Sequence, residues 1–569
     1  MLDLRITGGS VIDGTGKPAE TGDIGIKDGR IVEVGRVSTP AHHTIAADGL
    51  AVTPGFVDIH THYDGQALWD DALDPSFSNG VTTAILGNCG VGFAPCSAAD
   101  REVLVDLMDG VEEIPGSVLA EGLKWDWTSF PEYMDRLDEA RHSFNIGALA
   151  THGPLRFHVL GKKVIDGIPA GESEITAMQG LLKGALAAGA FGMSSSRTAL
   201  HVTRSGKMTP DYNVEFRELR ALAETLGAHD SVFEFAPAGV TGDDVDSLRR
   251  DMAYYERLAN ETGARVHLLM QQIPEAPDFW QEQLVGLERV AKAGGRMNAQ
   301  VHGRGIGLMM GLLNTNPFQT RETFIKVSQL PLDQRLAEFR KPEVRARILA
   351  DADHIPDTFK ILGEFIDRAY AFTSADDYEP DQSKRVREIA RQEGRSAEEV
   401  AYDLMLRDGL LFTPILNYHG GDLEVARQII SSPHCLVAAS DAGAHSLTIC
   451  DGALPTFMLT HWTRDRTRGA RLPVESVVHM LSAKPARAIG LSDRGVLAPG
   501  MAADLNLIDL AALKLGTPKI VSDLPSGAPR LLQLASGYRA TVVNGTVTRE
   551  NDADTGARPG ALIRRRHAA

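Results

Sequence analysis

The chain is poor in three things, and each shortage closes off a class of protein. It has four cysteines in 569 residues, at positions 89, 96, 435 and 450. That is too few for a disulfide framework, and no two of them form a C-x-x-C pair. It has no apolar run of about 20 residues, so no bilayer-spanning helix is expected. It is short of positive charge, with 58 basic against 75 acidic residues and a formal charge of −17, whereas a nucleic-acid surface needs a basic stripe. The one basic run, Arg564-Arg565-Arg566, reads as a solvated tail. The opening "MLDLRITGGSVIDGTG" also lacks the basic and long apolar regions of a signal peptide. These absences point to a protein of the reducing cytoplasm with no nucleic-acid or membrane partner.

What is present is ordinary for a globular protein: 43% hydrophobic and 23% charged residues. The length suits two to four domains or one large barrel with additions. The first 54 residues read as short strands with Gly-rich turns, and Asp28-Gly29 between "IGIK" and "RIVEVG" marks a tight hairpin. The texture returns at 490–550, where Asn544-Gly545 joins two β-rich runs. Neither piece alone buries a core, so the two are expected to form one small β-sandwich domain.

Between them, residues 55–489 alternate apolar runs with helical stretches. Strands are expected at 55–60, 82–88, 145–153, 191–196, 231–237, 265–272, 296–303 and 435–441. Helices such as "EFRELRALAETLG" and "DSLRRDMAYYERLANETG" separate them. Eight buried strands with helical crossovers predict an α/β fold of the (β/α)8 TIM-barrel type. A doubly wound sheet is the alternative, but no Gly-rich phosphate loop follows the first strand. Residues 304–434 break the rhythm with charged amphipathic helices. A stretch that long needs structure of its own, and it reads as an inserted helical lid at the barrel mouth. Residues 551–569 read as a C-terminal tail.

Barrel sites lie at the carboxyl ends of strands. In "GFVDIHTHYD", His60 and His62 occupy positions i and i+2, which share one face of a strand, so two imidazoles converge on one ion. Asp58 and Asp64 flank them. Asp441, in "HCLVAASDAGAH", ends the last strand, which in a closed barrel lies beside the first. A carboxylate there serves as a ligand and as an acceptor of the proton of an attacking water, or instead as a helix cap. Cys89, in "AILGNCGVGFAPC", ends the second strand and is either a zinc-binding thiolate or an inert buried thiol.

The segments "ITGGSVIDGTG", "DGLAVTPGFVDIHTHYD", "NGVTTAILGNCGVG", "SDAGAH" and "KPARAIGLSDRGVLAPGMAADLNLID" resemble the amidohydrolase superfamily. "NCGVGFAP", "NIGALATHGPLR" and "GAFGMSSSRTALH" resemble its D-aminoacylase branch, the N-acyl-D-amino-acid deacylases. The resemblance implies a metal-dependent hydrolase of an amide C–N bond in an N-acyl amino acid or related compound. It maps the metal ligands onto His60, His62, Cys89 and Asp441, with Asp441 also the general base and acid. Where other superfamily members carry a carboxylated lysine, this chain has Ser194, Ser195 and Ser196. The branch also places a metal-binding histidine at the ends of strands five and six. Here strand five offers Glu234, and strand six offers Met270 or Gln271 with His267 too early. The expectation is one zinc ion, with two ions or another divalent metal as alternatives. Glu234 or His152 would act as substitute ligands, and a metal-free, inactive site is the third outcome.

Arg197 and His201 after strand four are candidates for binding a substrate carboxylate, or form a surface ion pair. His445 would steady an oxyanion or bond to Asp441, or is a plain loop histidine. His302, Arg304 and His419 rank below these. A small-molecule substrate is the expected partner, and barrels of this kind often form homo-oligomers. Competing readings are a cyclic-amide or lactone hydrolase or a deaminase of the same superfamily, or a non-catalytic binding protein on a decayed barrel.

Overall fold

The computed structural model describes residues 1–353 and 361–565. Eight strands follow one another as expected. They are β1 (Phe56–Asp58), β2 (Val81–Leu86), β3 (Asn145–Ala148, resumed at Ala150–Thr151), β4 (Gly192–Ser196), β5 (Val232–Ala236), β6 (Arg265–Leu269), β7 (Arg296–Val301) and β8 (Cys435–Val437). β1, β2 and the first part of β3 pair in one parallel sheet, and the rest of β3 through β8 in a second. Past the strand ends a parallel bridge joins Thr61 to Ala442. The first and last strands therefore stand side by side, in the order of a TIM-type barrel.

The crossover helices obey local rules. In Val245–Thr262 the Asp244 carboxylate accepts the Ser247 N–H at 2.9 Å, and Gly263 (φ 75°) ends the helix in the left-handed region. Leu248, Tyr255 and Leu258 on one face are buried against the strands. No helix among the described residues is long and apolar enough to cross a membrane.

Strands from both ends of the chain share one nine-stranded sheet, in which Ala51–Pro54 pairs antiparallel with Leu505–Ile508. Asp28-Gly29 and Asn544-Gly545 both turn hairpins with positive φ at each residue. Hydrogen bonding is continuous through this sheet, and Leu4, Ile24 and Ile31 from one end share a core with Leu505, Leu507 and Val542 from the other. The ten-residue strand Leu2–Val11 joins its parts, pairing with Ala41–Ala46, Ala51–Pro54 and Glu20–Lys27.

Two expectations need correction. The insertion is not wholly helical. Ile306–Met310, Leu411–Leu416 and Tyr370–Ala371 form a three-stranded antiparallel sheet with a core of its own around Phe318, Phe339 and Tyr402. Nor is the basic tail solvated as far as Arg565. Ile563 N–H donates to the Ile146 carbonyl at 2.7 Å, Arg564 pairs with Asp135 at 2.7 Å, and Arg565 with Asp230 at 3.0 Å. Acidic groups at the barrel's edge draw the arginines in. Arg566 lies outside the described residues.

Buried Glu379 fastens the insertion to the barrel. Its carboxylate accepts hydrogen bonds from Arg466 Nε and Nη2, both at 3.2 Å, and from Leu423 N–H at 2.8 Å, with His461 Nε2 at 3.0 Å. Burial pushes its pKa up, but His461 and Arg466 outweigh burial and bring it from 4.5 down to about 2. A depressed carboxylate stabilises the fold above its unfolded pKa and loses that contribution as pH falls toward the folded value. Glu379→Gln is therefore expected to lower Tm at pH 7, since breaking a buried pair costs about 3–5 kcal/mol. The gap to wild type should shrink between pH 4.5 and 2 in thermal melts.

Candidate active site

The pairing that continues past β1 sets the site. Thr61 turns its hydroxyl away to the Ile85 carbonyl at 2.9 Å, while His62 N–H donates to the Ala442 carbonyl at 2.8 Å. Alternation then puts His60 and His62 on the same side, ring centres 5.4 Å apart. His60 Nε2 lies 3.1 Å and His62 Nε2 3.6 Å from Asp441 Oδ1. Cys89 Sγ is 3.4 Å from His60 Nε2, and donor atoms of His60, His62 and Cys89 all fall within 4.8 Å of one another. All three are buried, while the Asp441 side chain is 27% exposed and so forms the open side.

Cys89 reaches this position through a left-handed backbone (φ 53°) in the turn Gly87–Gly90. Gly90 is required there, because a Cβ would come within 2.2 Å of Asp211 Oδ2. Ser194 clasps the turn, donating to the Gly87 carbonyl at 2.6 Å and accepting the Gly90 N–H at 2.9 Å. Asp441 also sits at positive φ (46°). The flanking acids hold the backbone: Asp58 Oδ1 accepts His60 N–H at 3.2 Å and Asp64 Oδ2 accepts Gly87 N–H at 3.2 Å. Burial raises both to about 6.

The donor set fits a divalent ion. Donors bound at about 2.0–2.3 Å around a tetrahedral ion stand about 3.3–3.7 Å apart, close to the His60–Asp441, His62–Asp441 and Cys89–His60 separations of 3.1, 3.6 and 3.4 Å. The charges agree. Burial would lower His60, but Asp441 and Glu234 raise it to about 9. Burial would raise Asp441, but His60 and His62 hold it well below the usual carboxylate range. Burial, with Glu234, Glu112 and Asp441 nearby, pushes the Cys89 thiol well above its ordinary value. Protons on the imidazoles thus balance the acidic pocket, in the role a cation would take.

Strands five to seven answer the missing histidines. Glu234 on β5 accepts the Cys89 N–H at 3.1 Å, and its other oxygen is 3.9 Å from His60 Nδ1, the ring nitrogen opposite the cluster. Burial raises it to about 7, with His60 opposing. Gln271 after β6 accepts from Asn417 Nδ2 of the insertion and, at 3.4 Å, from His302 N–H. Gln300 on β7 lies 2.6 Å from His60 Nδ1. Neither Gln300 nor Glu112, which faces His62 Nδ1 at 3.3 Å, carries a local signal in the sequence.

Two other candidates, His152 and Arg197, lie elsewhere. His152 is not at the cluster: Ser195 Oγ at 2.9 Å and Glu218 Oε1 at 3.0 Å occupy both its nitrogens. Arg197 is committed to Asp251 at 2.9 Å and to the Val214 carbonyl at 2.9 Å, and with 8% side-chain exposure it is a buried structural pair. His201 stays near the site, its Nδ1 2.7 Å from Ser196 Oγ; burial, reinforced by His445 and His62, lowers it to about 3. His445 Nδ1 lies 3.3 Å from Glu113 Oε2. Burial opposes its protonation, but Glu113 and Glu112 raise it to about 10. Arg304 is buried against Asp451 at 2.6 Å.

Residues 43–549 match the model of the amidohydrolase family. The chain belongs to that family. This amidohydrolase is 25% identical to the D-aminoacylase of Alcaligenes xylosoxydans xylosoxydans, over 99% of this chain and 98% of that protein. It is 37% identical to the N-acyl-D-aspartate deacylase of the same organism over 194 residues, 34% of this chain and 36% of that one. Its fold is similar to the crystal structure of N-acyl-D-glutamate deacylase from Bordetella bronchiseptica, solved with zinc and a phosphonate inhibitor. That likeness has a TM-score of 0.65 at 23% identity and covers 99% of each chain.

Proposed function

We infer that this amidohydrolase is a metal-dependent hydrolase of the amide C–N bond in N-acyl amino acids, acting through one zinc ion held by His60, His62, Cys89 and Asp441. The observation that carries the reading is the convergence of two imidazoles, a thiol and a carboxylate from the ends of β1, β2 and β8. When bound, the ion supplies Lewis acidity toward water and the substrate carbonyl. One ion is favoured over two because Gln271, where a second set of ligands would begin, is spent on Asn417 and His302.

Asp441 is ionised in the neutral range and faces the open side of the cluster, so it takes the proton of the water as the C–O bond forms. It returns that proton to the nitrogen as the C–N bond breaks, leaving a carboxylate and an amine. Protonated His445 offers positive charge beside Asp441 for the developing oxyanion or a substrate carboxylate. A cleft running from Asp441 past Trp69, Ile114, Ile449 and Leu531 suits an apolar arm of the substrate. The insertion borders the same mouth, with Met309 N–H donating to the Thr448 carbonyl at 2.8 Å, and we assign it the part of a lid.

The purified protein is expected to contain a divalent metal by elemental analysis. Chelation should abolish hydrolysis of N-acyl amino acids, and zinc should restore it. Protein without metal that stays inactive after zinc addition would overturn the reading.

A further inference from the structure

Glu112 stands one residue past the helix Arg101–Val111, in the connection that follows β2, and its side chain is buried. Its Oε1 lies 3.3 Å from His62 Nδ1. Neither atom has a hydrogen-bond partner, so the two stand in charge-pair contact without a formed hydrogen bond, and both are shut off from solvent. A buried carboxylate oxygen and a buried imidazole nitrogen, each unpaired, are costly, and at 3.3 Å each is the nearest group that a small ring rotation would bring into a hydrogen bond. The rest of Glu112 engages the segment that carries Asp441. Its carbonyl accepts the His445 N–H at 2.6 Å, and Oε2 is 4.0 Å from His445 Nε2.

We propose that Glu112 is a positioning residue: its carboxylate draws the Nδ1–H of His62, keeps Nε2 turned toward Asp441, and ties His62 to the Asp441 segment through His445. The proposal rests on the metal site inferred above. The two imidazoles are then held differently. His60 has a neutral amide, Gln300, against Nδ1 at 2.6 Å with the Glu234 carboxylate farther off at 3.9 Å, whereas His62 has the Glu112 carboxylate itself against Nδ1 at 3.3 Å, which strengthens it as a donor. The arrangement also explains the placement of an acid in a pocket already holding Asp441 and Glu234. Its charge is directed at one ring nitrogen on the far side from the cluster.

The test is zinc affinity, read by competition with a chromophoric chelator, together with the absorption spectrum of the cobalt-loaded protein and Tm of the metal-free protein. Glu112→Gln is expected to weaken zinc binding about 10- to 100-fold and to shift the cobalt bands, and Glu112→Asp to recover part of the loss. A merely structural role would lower Tm of the metal-free protein and leave zinc affinity of the folded fraction unchanged. Zinc affinity of Glu112→Gln within twofold of wild type overturns the proposal. Should Glu112→Gln not fold, Glu112→Asp carries the test, because a carboxylate one methylene short cannot close the 3.3 Å contact without a shift; wild-type affinity there overturns it equally. Wild-type protein that takes up no zinc defeats the metal site itself, a failure distinct from that of Glu112 alone.

Discussion

Replacing His60 and His62 together with alanine is expected to leave a folded protein that neither holds metal nor turns over substrate. Outer-shell partners of a ligating histidine are worth about 10- to 100-fold in metal affinity, and the loss of two direct ligands exceeds that for each. Truncation also strands the groups that faced the rings: Gln300 Oε1, now 2.6 Å from His60 Nδ1, loses its donor, which costs about 1–3 kcal/mol. The variant should therefore melt earlier than wild type while keeping its far-ultraviolet dichroism. Its pH dependence supplies an internal check. In metal-free wild type His60 is raised from 6.5 to about 9 by Asp441 and Glu234 against burial. A raised imidazole stabilises the fold fully below pH 6.5 and loses that contribution as pH climbs through about 9. Metal-free wild type should lose stability over that window relative to the double variant, which has no such imidazole. A double variant that still binds metal or hydrolyses substrate would remove His60 and His62 from the site.

Asp441→Asn should separate proton transfer from metal binding. His60, His62 and Cys89 remain, so metal is expected to be retained at reduced affinity. The amide cannot accept the proton of water or return it to the leaving nitrogen, so kcat should fall about 10²- to 10⁴-fold. Metal content and steady-state kinetics on the same preparation distinguish the two roles. Activity within tenfold of wild type, with metal bound, would show that another group moves the proton. Loss of metal and activity in step would make Asp441 a ligand and nothing more.

Most barrel strands stop a few residues short of their expected ends, but their starts, the two hairpin turns and the candidate positions His60, His62, Cys89 and Asp441 were legible because each depends on local rules. These are period-two alternation, left-handed backbone at Asp-Gly and Asn-Gly, and the confinement of barrel sites to carboxyl ends of strands. The nearness of β1 to β8 followed from barrel order alone. What those rules do not specify is the partner of each polar group. Arg197 and His152 sit at strand ends, yet Asp251, 54 residues away, and Glu218 claim them. Glu112, on a turn after a helix, and Gln300, inside a strand, have no periodic or motif signal. Only packing brings them to the two imidazoles across 50 and 240 residues of chain. The tail arginines looked solvated for the same reason, because Asp135 and Asp230 lie more than 300 residues before them. The sequence by itself determined where the barrel strands begin and that His60, His62, Cys89 and Asp441 follow their ends, since those follow from bonding and sterics within a few residues. The tertiary structure decided which charges meet, because a buried polar group takes whichever partner the packed chain brings within hydrogen-bond reach.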